Sequence, residues 1–164
     1  MLGLTLWAGS CSIARAQVWT TAGNTWTYRN AISLDVSTPF KVVLNEQTLS
    51  LTAQDGAVSL TFVGAHGQSD LSDLTHTINQ TLFQNNATMK PQSHTIMQNG
   101  VEMAFKEGDL ILKLLPYDVT VVVMGHQDDF VLCQLLMPKQ ATGAMTPLLD
   151  SLFSSVRASK GSVH

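Results

Sequence analysis

Charge is scarce in this chain: 13% of its 164 residues are charged, about half the usual share. Hydrophobic residues make up 45%, so the composition excludes intrinsic disorder, which needs few apolar residues and many charges. The basic residues stand singly, with no Lys/Arg cluster. Nucleic-acid binding, which needs a basic stripe to displace counterions, is therefore excluded, and an anionic membrane surface is disfavoured. No apolar run approaches the ~20 residues that span a bilayer. Cysteine is nearly absent too. Cys11 and Cys133 cannot build a framework of several disulfides, and Cys133 in "FVLCQLLM" reads as a buried, inert thiol.

Catalytic spacings are also missing. The five histidines, His66, His76, His94, His126 and His164, form no H-x-x-x-H or H-E-x-x-H pair, so no zinc site is expected. Ser59 and Ser69 lack the Gly-x-Ser-x-Gly elbow. Gly64-Ala65-His66-Gly67 is neither a P-loop nor a dinucleotide fingerprint, and Asp70 and Asp73 in the following turn would repel phosphate. No catalytic residue, cofactor or metal is expected. Asn79-Gln80-Thr81 and Asn86-Ala87-Thr88 match the glycosylation pattern, a coincidence if the source is bacterial.

What is present begins with two processing signals. Residues 2–8 are mostly apolar, and Ala14-Arg15-Ala16 before Gln17 has the small residues of a secretory cleavage site. Ala8-Gly9-Ser10-Cys11 offers a rival signal, lipid attachment at Cys11. The apolar stretch is short and no Lys or Arg precedes it, which also leaves open an ordinary N-terminal strand or a frayed tail. The expected organisation is a leader over 1–16 and one α+β domain over 17–164. Loss of Arg15 with the leader moves the formal charge from −3 to −4, since eight basic residues then face the same 12 acidic ones.

Alternation marks the strands. Ile32, Leu34 and Val36 share one face before Pro39. Leu49, Leu51 and Ala53 lead into Asp55-Gly56, and Val58, Leu60 and Phe62 lead out, a β-hairpin. A second hairpin turns at Asn99-Gly100, ahead of Val101, Met103 and Phe105. "DVTVVVMG" and "DFVLCQLLM" are apolar enough for central strands covered on both faces. Residues 110–115 fit either a strand or a short helix. Helical spacing appears at Leu71, Leu74, Ile78 and Leu82, and at Met145, Leu148, Leu149, Leu152, Phe153 and Val156. Thr146-Pro147 is expected to start the second helix and Lys160-Gly161 to close it. About seven strands and two helices give a single antiparallel sheet built from hairpins and flanked by two amphipathic helices.

This order of elements, with the "LSLTAQDGAVSLTFVG" hairpin, the "NGVEMAF" strand and the closing "LLDSLFSSV" helix, resembles the PsbP-like superfamily over about residues 26–157. The superfamily includes the PsbP subunit of photosystem II, a Ran-binding transport factor and DcrB-type bacterial proteins. The resemblance implies a non-catalytic binding or assembly role, often exported or lipid-anchored, and carries no catalytic residue across.

The leading expectation is thus an exported, secreted or periplasmic bacterial module that binds another protein. Trp19, Trp26 and Tyr28 are candidate contacts if exposed, although aromatics in a polar lead-in commonly dock on the core. His126, Asp128 and Asp129 form a hairpin tip with capacity for a weak metal or partner contact. One alternative is an exported hydrolase using His66 or His126 with nearby acids. Another is a cytoplasmic chaperone for secreted effectors, with a long apolar groove on the sheet.

Overall fold

Turn chemistry folds most of this chain back on itself. The computed structural model describes residues 19–29, 31–46, 48–66, 87–126 and 129–159; the side chains of Ala65, His66, Ser93 and His126 lie outside that description. Asn99-Gly100 is a two-residue turn between partners Gln98 and Val101. Both residues take the positive φ, 50° and 81°, that a type I′ hairpin requires. The Asp55-Gly56 hairpin forms with a longer loop than the dipeptide alone needs. Ala53 faces Val58, and Gln54, Asp55 and Gly56 all have positive φ.

The strands are β1 (Trp19–Ala22), β2 (Thr25–Tyr28), β3 (Ile32–Asp35), β4 (Lys41–Asn45), β5 (Thr48–Ala53), β6 (Val58–His66), β7 (Thr88–Gln98), β8 (Val101–Leu112), β9 (Leu115–His126), β10 (Asp129–Pro138) and β11 (Arg157–Ala158). Among the described residues one α-helix, α1 (Thr142–Ser154), follows β10. The strands form two sheets rather than the single one expected. A seven-stranded antiparallel sheet has the order β4-β5-β6-β10-β9-β8-β7, and a four-stranded sheet has the order β1-β2-β3-β11. The division arises because Ile32 and Leu34 extend a meander begun by the aromatic lead-in, with Thr25 opposite Asp35 and Tyr28 opposite Ile32. The helix expected over 69–82, and the glycosylation patterns at Asn79 and Asn86, lie outside the described residues.

One face of the large sheet carries Leu49, Leu51, Leu60, Phe62, Met103, Val122, Met124, Val131 and Cys133. Against it pack the small sheet, through Trp19, Tyr28, Ile32 and Leu34, and α1, through Met145, Leu149 and Leu152. The opposite face holds a second buried cluster around Val119, Val121, Val123 and Phe130. The near-continuous apolar runs of β9 and β10 therefore supply two cores, as central strands covered on both faces do.

The helix starts one turn before the expected Thr146-Pro147 and ends six residues before Lys160. Pro147 stands inside it, and Thr146 Oγ1 donates to the Thr142 carbonyl at 2.6 Å. Its end is tied to the 99–100 hairpin. Gln98 Nε2 donates to the Phe153 carbonyl at 2.6 Å, and Asn99 Nδ2 to the Val156 carbonyl at 3.1 Å. The two amides thus pin the helix end and the residues just after it to the hairpin, the Phe153 carbonyl also accepting the Val156 N–H at 3.2 Å. Val156, expected on the helical stripe, is fully buried just beyond it.

β11 is fastened by charge. Arg157 donates through both terminal nitrogens to Asp35, each at 3.1 Å, and Thr25 Oγ1 donates to the same carboxylate at 2.7 Å. The Arg157 hydrogen bonds, then that of Thr25, hold the Asp35 carboxyl below its ordinary range. A lowered folded pKa contributes stability that is complete above the unfolded value of about 3.9 and is lost as pH falls through the folded value. The Asp35 side chain is 49% exposed, so solvent limits the effect to about 0.5 kcal/mol. Asp35→Asn is expected to cost that much at neutral pH in urea titrations, the difference vanishing as both forms are acidified below about pH 3.

Candidate functional site

The face of α1 that leaves the core meets the far end of β8 and β9. Thr142, Thr146 and Asp150 recur every four residues, so they share one side of the helix. Beside them Leu149 and Phe153 turn toward the sheet. Together with Phe105, Leu135 and Met137 they wall a crevice of about 310 Å³ between helix and sheet. Its rim carries Lys90, Glu107, Asp118 and Thr120 as well.

Most rim charges are already engaged. Lys90 Nζ lies 3.2 Å from Glu107. Lys139, just after β10, pairs with both Asp109 and Asp118, and Thr142 Oγ1 donates to Asp118 at 2.8 Å. The Lys139 ammonium holds the Asp109 carboxyl below its ordinary range, and Asp109 raises Lys139 in turn. Among the described residues that line it, Glu107, Asp118 and Asp150 outnumber Lys90, a balance of two negative charges. Asp150 has no ion pair or side-chain hydrogen bond among the described residues. An apolar floor under an acidic rim suits a ligand with a hydrocarbon stem and a positive head, since the stem is desolvated while the charge stays at the surface.

The residues singled out from sequence sit elsewhere. Trp19 and Tyr28 are each 1% exposed. Their rings lie 5.3 Å apart, and Trp19 meets Phe62 edge-on at 6.2 Å. They face the core, and Trp26 packs against it half-buried. Burial, the largest influence, raises the Tyr28 hydroxyl pKa. Asp129 opens β10, with Cα partners His66 on β6 and His126 on β9. The register therefore sets both histidines beside one acid, although Asp128 lies outside the described residues. His94 stacks flat on Phe105 at 4.9 Å. Cys133 is completely buried, and desolvation pushes its thiol far up, which suppresses the reactive thiolate. Among the described residues no three His, Cys, Asp or Glu side chains are grouped to hold a metal. No helix among them is long and apolar enough to cross a membrane.

The crevice itself was not legible from the chain. Its lining comes from five separate segments, and the one local sign was the Thr142, Thr146, Asp150 spacing beside an apolar stripe.

No protein-family model and no curated protein sequence matches the chain. Solved structures match its fold. The cyanobacterial PsbP (CyanoP) of Synechocystis sp. PCC 6803 aligns with a TM-score of 0.61 at 10% identity, over 88% of this chain and 95% of that one. LpqN, involved in cell envelope biogenesis of Mycobacterium tuberculosis, gives 0.53 at 12% identity, over 79% and 83%. The Saccharomyces cerevisiae Ran-binding protein Mog1p gives 0.52 at 12% identity, over 80% and 92%. At such identities the likeness is one of fold.

Proposed function

We propose that this chain, whose fold is PsbP-like, is an exported, non-catalytic binding module of the bacterial envelope that seats a basic side chain of a partner protein in the crevice beside α1. The observation that carries this reading is the crevice's composition: Phe105, Leu149 and Phe153 below, acidic side chains at the rim. A lysine or arginine lays its methylenes on such a floor and its cation against Asp150. Two of the fold neighbours support a binding or envelope role by their own descriptions, Ran-binding for Mog1p and cell envelope biogenesis for LpqN. The N-terminal processing signals, with either cleavage after Ala16 or lipid on Cys11, support export.

The test is an NMR titration of the full chain with a short peptide bearing one arginine between apolar residues. Shift changes are expected at Thr146, Leu149, Asp150 and Phe153. Asp150→Asn should weaken binding about threefold, the scale of one exposed charge pair, and Asp150→Lys should abolish it. Equal shifts spread over the surface, or binding indifferent to Asp150, would contradict the proposal.

A second reading, an exported hydrolase, draws on the register of His66 and His126 beside Asp129. Turnover of ester or phosphoester reporters, lost in His66→Ala, is the result that would favour it.

A further inference from the structure

The hairpin joining β8 to β9 ends in a form that turn chemistry does not favour. Leu112 faces Leu115 across the last rung and Ile111 faces Pro116 across the rung before it. Lys113 and Leu114 make the turn with φ of 48° and 68°. The same chain builds its 99–100 hairpin from Asn-Gly, the pair suited to positive φ. A leucine in that region is strained by its Cβ, and this one is 94% exposed. Folding alone does not account for a strained, solvent-facing leucine at an apex.

The neighbours extend the pattern. Ile111 is 71% exposed, and Leu112 and Leu115 are also exposed. Successive strand residues point to opposite faces, so apolar side chains leave both sides of this finger as well as its tip. A flat partner covers one side of a projection, whereas a fluid hydrocarbon phase surrounds it. The apolar zone runs three residues from the Ile111 rung to the apex, about 10 Å at strand rise, matching the depth to which amphipathic elements enter the headgroup and acyl boundary. At the finger's root the two carboxylates of Asp109 and Asp118 share the one ammonium of Lys139. Lys113 has a stem long enough to return its ammonium to the phosphates.

We infer that the 111–116 apex is a lipid-contacting spur that dips into the interface of a zwitterionic bilayer. An acidic chain of formal charge −3 has no general attraction for anionic lipid, so the apolar contact supplies the affinity. This surface is separate from the crevice, and either assignment can fail alone.

The experiment is flotation of the full chain with phosphatidylcholine vesicles, and with the same vesicles doped with phosphatidylglycerol. The parent is expected to float with phosphatidylcholine and to gain little from the anionic lipid. Leu114→Ser should lower the partition coefficient about tenfold, the weight of one large aliphatic side chain, and Ile111→Ser combined with it should lower it further. Val43→Ser, at a residue 53% exposed on the edge strand β4, should change nothing. Thermal unfolding checks that each variant is folded. A parent that stays in solution, or variants that float as the parent does, would overturn the assignment. So would a dimer in lipid-free buffer that Leu114→Ser dissolves, since the apex would then belong to a second copy of the chain.

Discussion

Trp19→Ala is expected to lower the unfolding free energy by about 3–5 kcal/mol, the cost of removing a large buried aromatic. Trp19 is the first described residue, yet it is 1% exposed and touches both layers of the structure. Tyr28 lies beside it in the small sheet and Phe62 beneath it in the large one. Its loss would open a cavity at the joint between the sheets, where strands on both sides limit collapse. Trp19→Phe separates volume from chemistry. The indole Nε1 is buried without a hydrogen-bond partner among the described residues, so phenylalanine gives up ring area but also removes an unsatisfied donor. A cost below about 1.5 kcal/mol is expected for it. Urea unfolding at constant m value measures both. A Trp19→Ala cost under about 1 kcal/mol would mean that the lead-in does not dock on the core.

The second large effect comes from the opposite change, adding one methyl. A Cβ built on Gly64 would overlap the ring of Tyr28. Gly64→Ala must therefore displace a buried tyrosine or lift β2 from β6, and overpacking of this kind costs about 3 kcal/mol. The diagnostic is coupling. In a Tyr28→Leu background the same methyl meets a smaller side chain, so Gly64→Ala should cost about 1–3 kcal/mol less there than in the parent. Strict additivity would show that the Tyr28 ring does not rest on Gly64. With the Trp19 pair, this cycle tests whether the two sheets are held together by aromatic contact.

Local patterns foretold much of the large sheet because each needs few residues to specify it. The alternations at Leu49–Ala53 and Val58–Phe62 bury to 4% exposure or less, and Asn99-Gly100 makes its turn. The unbroken apolar runs became β10, fourth of seven, and its neighbour β9. Long-range choices were not legible. Nothing in "TWTYRNAISLD" says that its strands pair with one another and with Arg157–Ala158 instead of joining the large sheet. Residues 110–115 were ambiguous because their turn uses Lys113 and Leu114, against the usual residue preference. Pro147 misplaced the helix start, since a first-turn position suits proline best, while here the preceding turn winds from Lys139 onward. The crevice depends on β7, β8, β9, β10 and α1 meeting, which no window of sequence displays.

The crevice beside α1 is the surface through which this fold is proposed to act, and the most direct measurement is crosslinking in the native cell. A photoreactive residue at position 150 should trap one partner protein through a lysine- or arginine-bearing segment, and the same residue at position 55, on the exposed β5–β6 loop, should trap none. Crosslinks absent at 150, or equal at both positions, would contradict it.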